Sequence, residues 1–328
     1  MNGQLREQAN MLLSTDVDRA AAAIRAGGLV GMPTETVYGL AADAENVTAV
    51  ARVFAIKGRP ADHPLIVHIA DAGQLDAWAR DVPGYARRLA EALWPGPLTL
   101  VLARTPRAGV HVTGGQDTVG MRAPAHPVAA ALLAAVGGGL AAPSANRFGR
   151  VSPTTAAHVI TELGSLLDPD RDVVLDGGPS RVGVESAIVD CTGPAPVVLR
   201  PGAVDAVQIA RVGGVPVSQR PSAVRAPGTL ASHYAPLAQI VIASDADQAR
   251  ELLGPLDGLL ATADVPTPPG VVRLSAPADA AGYARVLYAA LREADALGLT
   301  RVVAVPPSST GIGEAVTDRL TRAATPPS

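Results

Sequence analysis

The side chains best suited to chemistry in this chain sit in a few short polar runs. Lys57-Gly58-Arg59 is followed by His63 and, after the apolar Leu65-Ile66-Val67, by His68. Lys57 is the sole lysine among 27 basic residues. A chain that uses arginine for every other cation and keeps a lysine here points to a site needing a compact ammonium rather than a planar fork. Further polar loops occur at Thr34-Glu35-Thr36, Thr118 to Arg122, Ser144-Ala145-Asn146, Glu185-Ser186 and Arg200-Pro201-Gly202. Gathered in one cavity, Lys57, Arg59, Arg122 and Arg200 would neutralise a triphosphate or another compact polyanion. The hydroxyls of Thr36, Thr118, Ser144 and Ser186 would orient small polar groups beside them. Taken singly, each has a plainer reading: an arginine as a surface cation, Ser-Ala-Asn as a turn or cap, His68 and Cys191 as core residues. Their meaning depends on convergence.

Convergence needs a scaffold. Thr15 or Asp16 caps a helix through Arg25, which Gly27-Gly28 ends. Leu29 to Met32 reads as a buried strand, and Asn46 caps a helix to Ile56 with Val47, Val50, Ala51 and Phe54 on one face. Gly58 stops that helix, and Pro64 to Ile69 reads as a strand. A helical stretch spans Asp71 to Trp94, with strands at Leu98 to Ala103 and Thr118 to Arg122. An apolar helix after His126 leads to a strand near Leu140. A helix at Thr154 to Leu163 and strands at Val173 to Asp176, Ala187 to Asp190 and Val197 to Leu199 complete a first domain, residues 1–205. Residues 206–237, rich in Gly and Pro, read as an ordered linker ending in Ser-His-Tyr-Ala-Pro. In residues 238–328 strands at Ile240 to Ala243, Leu259 to Ala261 and Val302 to Val305 alternate with helices at Asp245 to Leu253, Asp279 to Leu297 and Gly313 to Ala323. That alternation predicts a small doubly wound, Rossmann-like α/β domain. The polar loops fall at strand ends, the usual place for a ligand in an open α/β sheet.

Composition narrows the classes. A net charge of −3 provides no global field toward nucleic acid or an acidic membrane, so a polyanion must meet a local cluster. One cysteine, Cys191, excludes an internal disulfide and a multi-thiolate zinc site. The amino terminus lacks a signal-peptide pattern, and Val128 to Ala142 is too short to span a bilayer, so a cytoplasmic protein with no membrane partner is expected. The common phosphate-loop, zinc-protease and serine-hydrolase motifs are absent.

The ordered set PTETVYGL, KGRPxxxPLxVHI, PGPLT, TVGMRxP, PSAN, GVES and LRPG resembles the YrdC-type threonylcarbamoyl-AMP synthases, and the SHYAP linker with its following domain resembles their long, two-domain form. The resemblance implies a twisted open α/β sheet around a deep basic cavity. It implies an enzyme that makes L-threonylcarbamoyl-adenylate from L-threonine, bicarbonate and ATP with release of pyrophosphate, a nucleotidyltransferase. The product would pass to the transferase machinery for t6A37 modification of tRNAs reading ANN codons. Carried over by position, Lys57 and Arg59 would hold the nucleotide phosphates as the catalytic cations. His63, Thr118, Ser144, Asn146, Ser152, Arg200, His233 and Tyr234 would lie on the nucleotide side. Thr36, His68, Arg122, Ala142 and Ser186 match the threonine pocket. Mg²⁺ would arrive with ATP, because the sequence offers no dedicated carboxylate cage; no organic cofactor is implied.

The chain departs from the family pattern at Leu230, Ala231 and Ser232, before the His-Tyr pair, and at Ala187, where a Thr is common. Two other readings compete. A binding module, RNA-binding or chaperone-like, that uses the same concavity without catalysis is disfavoured by the net charge and by 3% aromatics, although weak RNA binding is kept as a partner expectation. A carbamoyl transferase of the hydrogenase-maturation kind would need cysteine-rich zinc modules that one cysteine cannot build.

Overall fold

The computed structural model describes residues 3–326, with side chains from residue 7 onward; the outermost residues of the first and last expected domains, 1–2 and 327–328, lie outside the described residues. Ten strands form the larger sheet: β1 (Leu13–Ser14), β2 (Val30–Met32), β3 (Gly39–Asp43), β4 (Ile66–His68), β5 (Leu98–Ala103), β6 (Thr118–Arg122), β7 (Leu140–Ala141), β8 (Val173–Leu175), β9 (Ala187–Asp190) and β10 (Val197–Arg200). Their order is β1-β8-β2-β3-β7-β4-β6-β5-β9-β10, with parallel and antiparallel pairs mixed. A second, wholly parallel sheet has the order β11-β14-β12-β13 from β11 (Gln239–Ile242), β12 (Gly258–Leu260), β13 (Val272–Ser275) and β14 (Arg301–Ala304). The mixed open sheet and the separate doubly wound domain are the fold class expected from the sequence.

Local signals account for many boundaries. Asp16 caps helix Val17–Arg25 by accepting from two backbone N–H groups, and Asn46 caps helix Val47–Lys57, which Gly58 ends at φ 62°. β5 and β6 keep the expected bounds. Other expectations are corrected. The long helix expected over Asp71 to Trp94 is broken into a short turn, helix Leu75–Trp78 and helix Gly84–Leu93. Ala79 is extended there and bridges to Arg104, and Pro83 precedes the second helix. Helix Ala206–Gly213, capped by Asp205, lies inside the expected linker. Helix Gly3–Leu12, β1, β3 and β13 were not anticipated from the sequence. β3 carries Gly and Ala rather than branched residues because its neighbour sits close: a Cβ on Gly39 would stand 3.1 Å from that of Ala142.

One apolar cluster joins the two domains. Val37, Val151, Val184 and Tyr234 pack with Tyr283, Leu287, Tyr288 and Leu291 of helix Ala280–Ala296 and with Val316 and Leu320 of helix Ile312–Ala324. The approach is tight at Gly183, where φ is 86° and a Cβ would lie 2.3 Å from the Ala284 carbonyl oxygen. The carboxyl-terminal domain therefore packs directly behind the Gly183–Ser186 loop.

Candidate functional site

Neighbouring strand ends converge on one cavity. In the parallel β4–β6 pair His68 is in register with Arg122, so both side chains leave the carboxyl ends of adjacent strands. Antiparallel β7 runs beside β4 and delivers Ala142, Pro143 and Ser144 to the same rim. β9 and β10 place Ser186 and Arg200 opposite them, with a bulge between Val198 and Arg200 that re-aims the arginine. The enclosed space, counted with its open mouth, is about 590 Å³. Thr34, Thr36, Arg59, His68, Arg122, Ala142, Ser144, Glu185, Ser186 and Arg200 line it, and Pro227, Gly228, His233 and Tyr234 of the linker close it.

Three arginines reach this cavity, each tethered by carbonyls that fix its plane. Arg59 donates to Pro64 O at 2.8 Å and His63 O at 3.3 Å. Burial, with Arg200 adding to it, brings its pKa down to about 10. Arg200 donates to Ser186 O at 3.1 Å and Pro227 O at 3.0 Å, and burial lowers its pKa. Arg122 donates to Thr36 Oγ1 at 2.8 Å and Gly96 O at 3.2 Å. It also lies 2.7 Å from Glu35, with both side chains buried. That ion pair is close but not aligned, since neither Glu35 oxygen meets an N–H squarely. Burial opposes the Glu35 charge, yet Arg122 holds its pKa below the usual carboxylate value. His68 is buried with an unpartnered Nδ1, and burial next to Arg122 pushes its pKa down to about 3, so the ring is neutral. A neutral imidazole, a tethered guanidinium and the paired Thr34 and Thr36 hydroxyls (2.9 Å apart) make one end of the cavity suited to a small zwitterion. Arg59 and Arg200 at the other end suit phosphate oxygens.

The linker covers this second end. Tyr234 is fully buried with a left-handed φ of 64° and an unpartnered hydroxyl. His233 stands edge-on to Tyr234 and to Phe148, and burial pushes its pKa down to about 3. A Cβ on Gly228 would lie 2.2 Å from the Tyr234 hydroxyl and 2.8 Å from Arg200 Nη1, so only glycine fits between them.

The remaining residues singled out from the sequence do not line the cavity. Lys57 is buried behind it: its ammonium donates to Ser144 O at 2.6 Å and to Asn146 O, and burial beside Arg59 drives its pKa well below the ordinary lysine value. In this structure Lys57 braces the Ser144 loop. Asn146 donates to Arg147 O and Arg150 O and folds that loop on itself. Ser152 donates to Glu185 Oε1 at 2.6 Å. His63 is half-buried, edge-on to Phe148 at 5.3 Å between ring centres. Thr118 lines a small adjoining cleft with Thr99, Gln116 and Arg225, which shares Leu65, Ile66 and Pro227 with the main cavity.

Sequence reasoning missed the groups that hold the walls. Glu35 and Glu185 lie in polar runs already noted, but nothing in them marked the carboxylates as anchors. Glu185 accepts from Ser152, from the Tyr288 hydroxyl at 2.8 Å and from Arg319 Nε at 2.9 Å. Burial opposes its charge, but Arg319 and Arg200 hold its pKa at about 2. Arg319 left one trace in the sequence: it falls on the apolar stripe of its helix with Val316, Leu320 and Ala323.

The comparisons agree with this architecture. Residues 22–202 match a family model described as "Telomere recombination" (Sua5/YciO/YrdC), and residues 204–325 match "Threonylcarbamoyl-AMP synthase, C-terminal domain". A threonylcarbamoyl-AMP synthase from Pyrococcus abyssi is 40% identical over 320 residues, which cover 93% of this chain and 92% of that one. One from Bacillus subtilis is 39% identical over 324 residues, covering 94% and 92%. The crystal structure of P. abyssi Sua5 complexed with L-threonine superposes with a TM-score of 0.84 at 39% identity, covering 94% of each chain. A variant of that protein, with an adjacent histidine and tyrosine both replaced by alanine, gives 0.84 at 35% identity over 95% of each. The chain therefore belongs to the threonylcarbamoyl-AMP synthase family in its two-domain form, and it is an enzyme of the nucleotidyltransferase class.

Proposed function

We propose that this enzyme forms L-threonylcarbamoyl-adenylate from L-threonine, bicarbonate and ATP, for t6A37 modification of ANN-decoding tRNAs. The observation that carries the reading is the gathering, around one cavity, of Thr36, His68 and Arg122 with the arginines Arg59 and Arg200. The threonine complex of the P. abyssi relative supports assigning the Thr36, His68 and Arg122 group to L-threonine.

In this reading the threonine amine and bicarbonate give a carbamate and water. A carbamate oxygen then bonds to the α-phosphorus of ATP as the bond to the β-phosphate oxygen breaks, and pyrophosphate leaves with the electron pair. Such a transfer needs positioning and charge neutralisation more than a covalent nucleophile. Arg122 orients the amino-acid carboxylate, neutral His68 leaves the amine no competing cation, and Arg59 and Arg200 take the growing phosphate charge. The buried carboxylates Glu35 and Glu185 are both engaged by arginines, and no cluster of three metal-ligating side chains occurs among the described residues. In this reading Mg²⁺ would come as part of the substrate, carried on the triphosphate. A cytoplasmic location and hand-over to a t6A transferase accompany this reading; among the described residues no helix is long and apolar enough to cross a membrane.

The test is pyrophosphate release from ATP by the purified chain. Release that requires both L-threonine and bicarbonate is expected; release indifferent to either would remove the proposed reaction.

A further inference from the structure

Arg319 is the largest charged side chain hidden completely from solvent, at 0% exposure, and it comes from the carboxyl-terminal domain. Its Nε donates to Glu185 Oε2 at 2.9 Å and its Nη2 to Pro201 O at 3.1 Å, next to Arg200 in the chain. Its guanidinium carbon lies 5.4 Å from the Tyr234 ring centre. The Tyr288 hydroxyl, also from that domain, donates to the same Glu185 oxygen. Glu185 in turn shares the cavity wall with Arg200.

An isolated buried carboxylate beside Arg200 would take that arginine as its counter-ion, and a paired guanidinium attracts phosphate poorly. Here the pairing is satisfied from behind: Arg319 and Tyr288 take Oε2 and Ser152 takes Oε1. Among the described residues no carboxylate lies within ion-pair contact of Arg200, though Glu185 is near enough to feel its charge; Arg200 donates to Ser186 and the Pro227 carbonyl. We propose that Arg319 is a positioning residue that neutralises Glu185 from the carboxyl-terminal domain and so leaves the charge of Arg200 free for the nucleotide phosphates. The domain behind the wall thereby sets the affinity of the cavity for ATP, without touching substrate. The proposal rests on the ATP-using reading above.

The experiment is calorimetric titration of the full chain with ATP and, separately, with L-threonine. Arg319→Gln is expected to weaken ATP binding at least about tenfold while threonine affinity stays within about threefold. Adding Glu185→Gln to it should return ATP affinity to within about threefold of Glu185→Gln alone, because the charge to be compensated is gone. A merely structural Arg319 would instead weaken both ligands alike, or make the double variant worse than either single; either result overturns the proposal, as does unchanged ATP binding in Arg319→Gln. Should Arg319→Gln not fold, Arg319→Lys decides: ATP affinity within about threefold of wild type supports the charge role, and a tenfold loss overturns it. A wild-type chain that binds ATP but forms no adenylate contradicts the functional reading alone. Variants that break the stated pattern contradict this proposal alone.

Discussion

The ammonium of Lys57 ends 2.6 Å from the carbonyl oxygen of Ser144, not in the cavity that Ser144 lines. The chain's single lysine thus ties the end of helix Val47–Lys57 to the loop after β7, and the Phe148 N–H returns a bond to the Lys57 carbonyl at 2.7 Å. Lys57→Met keeps most of the volume and strips the Asn146 carbonyl of its donor, while the Ser144 carbonyl keeps only the Asn146 N–H. A buried, unsatisfied carbonyl costs about 1–3 kcal/mol, so the melting temperature should fall by several degrees, with ATP turnover reduced as the Ser144 wall loosens. Thermal denaturation checks this; an unchanged midpoint would show that the brace carries no stability.

Gly228 sits where a methyl group would strike both the Tyr234 hydroxyl and Arg200, at a left-handed φ of 74°. Gly228→Ala should lift the linker from the nucleotide end. We expect KM for ATP to rise about tenfold and KM for threonine to hold. Steady-state kinetics with each substrate varied in turn distinguishes this from a general loss.

Acid should weaken the fold in a defined window. His68 and His233 are each pushed from an ordinary 6.5 down to about 3, chiefly by burial. Between those values the unfolded chain holds protons that the folded rings refuse, so unfolding takes up protons and stability falls as pH drops. At pH 5 each ring contributes a loss of about 2 kcal/mol relative to neutral pH. Glu185, depressed from 4.5 to about 2, adds stability that is present above 4.5 and lost as pH falls toward 2. Melting curves between pH 7 and pH 5 should be steeper for wild type than for His233→Asn; parallel curves would remove His233 from this account.

Because Glu35 and Glu185 are spoken for by Arg122 and Arg319, divalent metal should be required only through ATP. Chelator should stop adenylate formation and added Mg²⁺ restore it, while calorimetric titration of Mg²⁺ into the chain without ATP shows no binding. Stoichiometric Mg²⁺ uptake by the free chain would contradict this assignment.

How much of this could be read in advance depended on range. The cap at Asn46 and the stop at Gly58 are local chemistry and appear where the sequence places them, and of the two caps offered at Thr15 and Asp16 the structure uses Asp16. The gathering of Arg59, Arg122, Ser144 and Arg200 followed from polar runs at strand ends combined with the family resemblance. The direction of the Lys57 side chain did not, because two carbonyls more than eighty residues away decide it. The break at Ala79 was equally hidden, since it is set by pairing with Arg104 rather than by helix periodicity. Arg319 lies 134 residues from the carboxylate it holds, and a lone arginine on an apolar helix face was its only mark.

The most direct measurement of the central claim is mass spectrometry of the product formed from ATP, L-threonine and carbon-labelled bicarbonate. The account predicts a threonylcarbamoyl-adenylate made heavier by the label, absent when any one substrate is withheld. An adenylate of threonine itself, carrying no bicarbonate carbon, would contradict it.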